Sequence, residues 1–109
     1  MENYKNITLE KREGYAVLTI NRPKIMNCID VPTAEEITDA LFKLDTEPGV
    51  YGVILTGAGE KSFCSGDDVN DDWSKQPFNV AMAMRNATLP RQRMLSRIEE
   101  YSYPVIAAI

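Results

Sequence analysis

Apolar residues first gather in a β-branched run, YAVLTI (residues 15–20), preceded by a weaker alternation over residues 7–10. Between them stands the polar stretch Lys11-Arg12-Glu13-Gly14. Two strands joined by a turn at Glu13-Gly14 are predicted. The run stops at Asn21-Arg22-Pro23, because proline lacks a donor and biases the residue before it toward extended backbone. Ala34, Ile37, Leu41 and Leu44 then recur at helical spacing, behind Asp30 as N-cap and Pro32 in the first turn. Glu35 and Glu36 near one end and Lys43 near the other suit the helix macrodipole. The helix ends before Pro48-Gly49, and YGVILT (residues 51–56) reads as a buried strand. A helix between strands points to an α/β layer with a partly parallel sheet.

Residues 57–73 form a long connection of little periodicity, the kind of segment that carries function in compact domains. Helix formers return from Phe78, and a further helix is expected over residues 89–101, with Pro90 in its first turn. Its apolar stripe is Met94, Leu95, Ile98 and Tyr101. Tyr103-Pro104 breaks it, and VIAAI (residues 105–109) has the composition of a buried central strand. Domains rarely end inside such a strand, so the sequence reads as cut: residues 1–109 as the N-terminal part of a single domain.

Composition narrows the function classes. The 109 residues are 44% hydrophobic and 26% charged, which suits one small globular domain. Twelve basic against 16 acidic residues give a formal charge of -4, which leaves no basic footprint for nucleic acid. Arg91, Arg93 and Arg97 cluster, but read as a solvated helix face. The first twenty residues carry charges throughout, so no secretory signal is expected. No stretch approaches the ~20 apolar residues of a membrane helix. Cys28 and Cys64 do not suggest a disulfide framework, and a reducing cytoplasm is the expected setting. The chain has no histidine, which removes histidine-based triads and histidine-containing zinc sites.

Chemistry is concentrated in LTGAGEKSFCSGDD (residues 55–68). A strand delivers the chain to a glycine-rich corner, and Gly66 permits a backbone that other residues resist. Such a turn can aim the next amide at a ligand oxygen, roughly 3 Å away, as an oxyanion requires. Ser65-Gly66-Asp67-Asp68 is also an ordinary turn sequence. Asp67, Asp68, Asp71 and Asp72 lack the alternation of a calcium loop and read as a solvated acidic stretch, so no metal is expected. Cys64 reads as a small buried hydrophobe before a nucleophile, since no activating group accompanies it. Val69, Trp73 and Met82 suit either an acyl pocket or the core.

The motifs, taken in order, resemble the crotonase, or enoyl-CoA hydratase/isomerase, superfamily. Asn21-Arg22-Pro23-Lys24 with Asn27 looks like its NRP-K/E-x-x-N segment. Leu55-Thr56-Gly57, then Phe63-Cys64-Ser65-Gly66 and Asp68, look like its LTG…F-C/A-x-G segment and the aspartate that ends it. PVIAAI (residues 104–109) looks like its following strand. The resemblance implies an α/β fold of ββα spiral repeats, here stopping before the second oxyanion loop. It also implies trimers or dimers of trimers, and acyl-CoA thioester chemistry through an enolate held by two backbone N–H groups. One donor would be the amide of Asp67, after the motif glycine Gly66. Lys24, Ile25 and Met26 fall where the family lines its CoA channel. Phe63, Cys64 and Ser65 fall beside the adenine and pantetheine. Coenzyme A would arrive as part of the substrate, with no separate cofactor.

Two features depart from the family pattern. Asp67 stands where the family has a small or apolar residue, and a carboxylate beside an enolate repels it unless turned away or protonated. It is either turned away or a special acid or base. The second glycine-rich loop and the hydratase glutamates fall beyond Ile109. Hydration or isomerisation of an enoyl-CoA is the leading expectation. CoA-ester hydrolysis, decarboxylation and a non-catalytic binding or assembly module are the alternatives.

Overall fold

The computed structural model describes residues 4–66 and 80–109, with the backbone alone for 80–87. Strands β1 (Ile7–Arg12) and β2 (Gly14–Ile20) form an antiparallel hairpin in which Ile7 faces Ile20. The turn falls at Gly14, whose φ of +88° favours a residue without a Cβ. A 3-10 turn, Pro23–Ile25, leads to helix α1 (Val31–Asp45). Asp30 caps α1 as expected, its carboxylate accepting from the Thr33 backbone N–H at 2.9 Å. Strand β3 (Val50–Gly57), helix α2 (Val80–Glu100) and strand β4 (Val105–Ala107) follow.

The four strands lie in sequence order, with β2–β3 and β3–β4 parallel. The mixed sheet read from the pattern is therefore present. Alternation along β2 buries Ala16, Leu18 and Ile20 on one face. There they meet Ala34, Ile37, Leu41 and Leu44 of α1, the stripe read from the helical spacing. Val50 and Val53 of β3 and Met94 of α2 complete this core.

Three expectations are corrected. Residues 80–100 form one helix with Pro90 inside it, rather than a helix beginning near Leu89. Proline removes one backbone bond to the carbonyl four residues back, and burial of its ring offsets part of that loss. Leu95 is 60% exposed and stands outside the stripe, while Met94, Ile98 and Tyr101 face the core. The last strand, expected to be central and buried, is short and partly exposed. It has three residues and, among the described residues, pairs with β3 at the edge of the sheet and leaves Ile106 60% exposed.

The Tyr101 hydroxyl is buried with no hydrogen-bond partner among the described residues. Burial, then the nearby charges of Asp45 and Tyr103, push its pKa from 10.0 up to about 12. The folded state thus favours the neutral phenol. Its contribution is complete below pH 10, the unfolded value, and is lost as pH rises through about 12. Tyr101→Phe is expected to match or exceed the parent at neutral pH, by up to about 1 kcal/mol, since it deletes an orphan polar group. It should also lessen the alkaline loss between those two pH values. Urea titrations at a series of pH values would check both, and a large neutral-pH destabilisation would contradict them.

Candidate functional site

The site grows from the way residues 22–30 turn back on themselves. Met26 and Asn27 both have left-handed backbones, with φ of 60° and 56°. Asparagine tolerates that region better than most residues, and methionine does not. Such backbone persists only where neighbours fix it. Here they do. Asn27 is 1% exposed, and its Oδ1 accepts from the Arg22 N–H at 2.9 Å. Its Nδ2 donates to Ala58 O at 2.9 Å and to Ser62 O at 2.7 Å. The amide is bonded at both ends, as a buried polar group must be. Arg22 Nη1 donates to Cys28 O at 2.6 Å, and Nη2 pairs with Asp30 at 3.1 Å.

Against this segment lies the glycine-rich connection leaving β3. The Ser65 N–H donates to Met26 O at 3.1 Å, and the Ile29 N–H donates to Gly66 O at 2.8 Å. Gly66 has a φ of +105°, a backbone that favours glycine, and a Cβ built there would meet nothing within 4 Å. Gly57 sits where the two segments cross. A Cβ there would overlap Phe63 O and come within 2.7 Å of Asn27 Nδ2 and Ser62 O.

Two groups of residues marked in the sequence are thus brought together: Met26 with Ser65, through one backbone bond, and the neighbouring Gly66 with Ile29. Lys24, Ile25 and Met26 are exposed on one side. Phe63 is half-buried, Ser65 is exposed, and Cys64 packs against the core. Cys28 is buried beside Arg22, whose Nη1 lies 3.9 Å from its Sγ. A cleft of about 360 Å³ opens between Pro23, Lys24 and Asn27 on one wall and residues 58–62 on the other. Lys24 and Lys61 both line it, with Glu60 beside them. Asp67, Asp68, Val69 and Trp73 lie outside the described residues, as does the side chain of Met82. Among the described residues no cluster of three or more cysteines, aspartates and glutamates could hold a metal.

Arg91 corrects the reading of the basic helix face. It is half-buried, and its Nη2 donates to Ile29 O at 3.2 Å, tying α2 to the site. Arg97 stacks over Phe42 at 5.2 Å. Asn27 and Arg22 were visible only as motif letters. A lone polar residue beside a proline-led turn was the available signal for their structural work.

The enoyl-CoA hydratase/isomerase family profile matches residues 10–109. The chain belongs to this family. It is 42% identical over 106 residues to a crotonyl-CoA hydratase of Syntrophomonas wolfei, covering 97% of this chain and 39% of that protein. A short-chain-enoyl-CoA hydratase of Clostridium acetobutylicum is 36% identical, with 95% of this chain and 38% of that protein covered. Among solved structures, an enoyl-CoA hydratase/isomerase of Xanthobacter autotrophicus superposes with a TM-score of 0.88 at 31% identity. That match covers 98% of this chain and 39% of the other. The crotonase-type α/β fold is therefore shared, and the chain spans about two fifths of the length of these relatives. Among the described residues no helix is long and apolar enough to cross a membrane.

Proposed function

We propose that this chain supplies the first half of an acyl-CoA site in an enoyl-CoA hydratase. The observation that carries the proposal is the pairing of residues 22–29 with residues 62–66. It seats Gly66, with its positive φ, on Ile29, and a lysine-lined cleft opens between residues 23–27 and 58–62. The N–H following Gly66, that of Asp67, is the proposed donor to the thioester oxygen as negative charge gathers there. Two neutral amides can stabilise such a charge without histidine, each contributing about 2.7–4 kcal/mol to lowering the barrier. A carboxylate at position 67 is tolerated only if it does not face the enolate, which it would repel. Lys24, Ile25 and Met26 flank the CoA chain, with Phe63, Cys64 and Ser65 opposite and Asp68 closing the motif. The second amide and the acid and base come from the part of the relatives that this chain does not span. No separate cofactor is used. The working form is a cytoplasmic homotrimer or a dimer of trimers.

Hydration is favoured over hydrolysis or decarboxylation because the relatives named above are hydratases of CoA esters. In the full-length protein, CoA at tenfold its Kd is expected to add about 1.4 kcal/mol to stability, seen as a rise in Tm. Crotonyl-CoA should lose its enoyl-thioester absorbance under the same protein. No rise in Tm at saturating CoA would sink the proposal. A rise without turnover of any acyl-CoA would favour the second reading, a binding or assembly module. The exposed apolar side chain of Ile106 on β4 is the observation that supports that alternative.

A further inference from the structure

Three bonds tie the two halves of the site to Asn27 or its neighbour. Ala58 O and Ser62 O are held by the Asn27 side chain, and Ser65 N–H by the carbonyl of Met26. Two residues further on, the Ile29 N–H holds Gly66 O. That carbonyl belongs to the same peptide unit as the N–H proposed as oxyanion donor. A trans peptide is planar, with its C=O and N–H pointing in opposite directions. Fixing the carbonyl on Ile29 therefore fixes the line along which the N–H is aimed. A bond accepted by the C=O also polarises the N–H, which strengthens its donation.

We infer that Asn27 is a positioning residue for the oxyanion donor. It clamps residues 58–62 against residues 22–29, so that Gly66 O stays seated on the Ile29 N–H. Asn27 would touch neither substrate nor reacting atoms. The inference rests on the acyl-CoA reading above, and its consequence is specific. Loss of the clamp should harm the transition state more than ground-state binding, because the donor is needed most as charge develops.

Asn27→Gly keeps a backbone that accepts φ of 56° and deletes the clamp together with the acceptor for the Arg22 N–H. Asn27→Asp keeps shape and the acceptor for the Arg22 N–H but removes both donations. In the full-length protein acting on crotonyl-CoA, both variants are expected to lower kcat about a hundredfold. KM should change by no more than about threefold. Amide hydrogen exchange at Ser65 and Ile29 should quicken in either variant. Folded variants with the parent's kcat and unchanged exchange would overturn the inference, as would equal losses in kcat and affinity. Should neither variant fold, the parent decides: the amides of Ser65 and Ile29 must be protected, and rapid exchange there overturns the clamp. A parent inactive on every acyl-CoA defeats the proposed function instead, and exchange then tests the clamp alone.

Discussion

Gly57→Ala is expected to lower stability by about 4 kcal/mol, or to prevent folding outright. A methyl at this position would overlap the Phe63 carbonyl and press on Asn27 Nδ2 and Ser62 O. All three are held. Phe63 O and Ser62 O are backbone atoms, and Asn27 is buried and bonded on both sides. No flexible side chain can swing away, so a segment must move. Moving it parts Nδ2 from its two carbonyls and leaves a buried amide unsatisfied, which adds about 1–3 kcal/mol to the steric cost. Gly66→Ala is the control. Gly66 has the left-handed backbone, but a Cβ there meets nothing, so only about 1 kcal/mol of backbone strain is expected. Urea unfolding of the two variants beside the parent gives the comparison. A Gly57→Ala midpoint equal to the parent's, or a larger loss for Gly66→Ala, would remove the crossing of the two segments as the source of the constraint.

That ordering was not legible in the sequence. Both glycines stand in a loop-like stretch, and composition marks Gly66 and Gly57 alike as turn residues. What separates them is how closely Phe63, Ser62 and Asn27 approach from elsewhere, a matter of tertiary distance. The regular elements were legible for a related reason. Burial repeats at a fixed period in β2 and α1, so Leu18 and Leu41 announce their faces locally. Pro90 and the final strand misled where a local rule met a tertiary setting. A proline in a helix is tolerated when its ring is buried, and an apolar run is central only if strands lie on both sides. The candidate site was half legible. Motif order placed residues 22–27 and 63–66 near one chemistry. The bonds that join them run from the Met26 carbonyl and the Ile29 N–H, with Asn27 holding Ala58 and Ser62 beside them, and only the fold shows them.

Asp30→Ala is expected to cost about 3 kcal/mol, because one carboxylate serves two structures. Its Oδ1 accepts from the Thr33 N–H and hydroxyl, capping α1, and its Oδ2 pairs with Arg22 Nη2. Loss of an N-cap alone costs about 1–2 kcal/mol. The ion pair adds to this because it is largely withdrawn from water, at 13% exposure for Arg22 and 19% for Asp30. A fully exposed pair would add little. Without Asp30, the Arg22 guanidinium keeps Cys28 O but loses this carboxylate, beside the turn that presents Met26 O and Ile29 N–H. Asp30→Asn divides the two roles, since asparagine caps a helix as well as aspartate does. It should recover the capping share and leave only the loss of the ion pair. Added salt should narrow the gap between Asp30→Asn and the parent only slightly, because a shielded pair is weakly screened. Urea unfolding at low and high salt measures all three. If Asp30→Asn is as unstable as Asp30→Ala, capping contributes nothing. If it equals the parent, the Asp30 charge is not what holds Arg22, and the rigidity of residues 22–30 rests on bonds other than this pair, those of Asn27 among them.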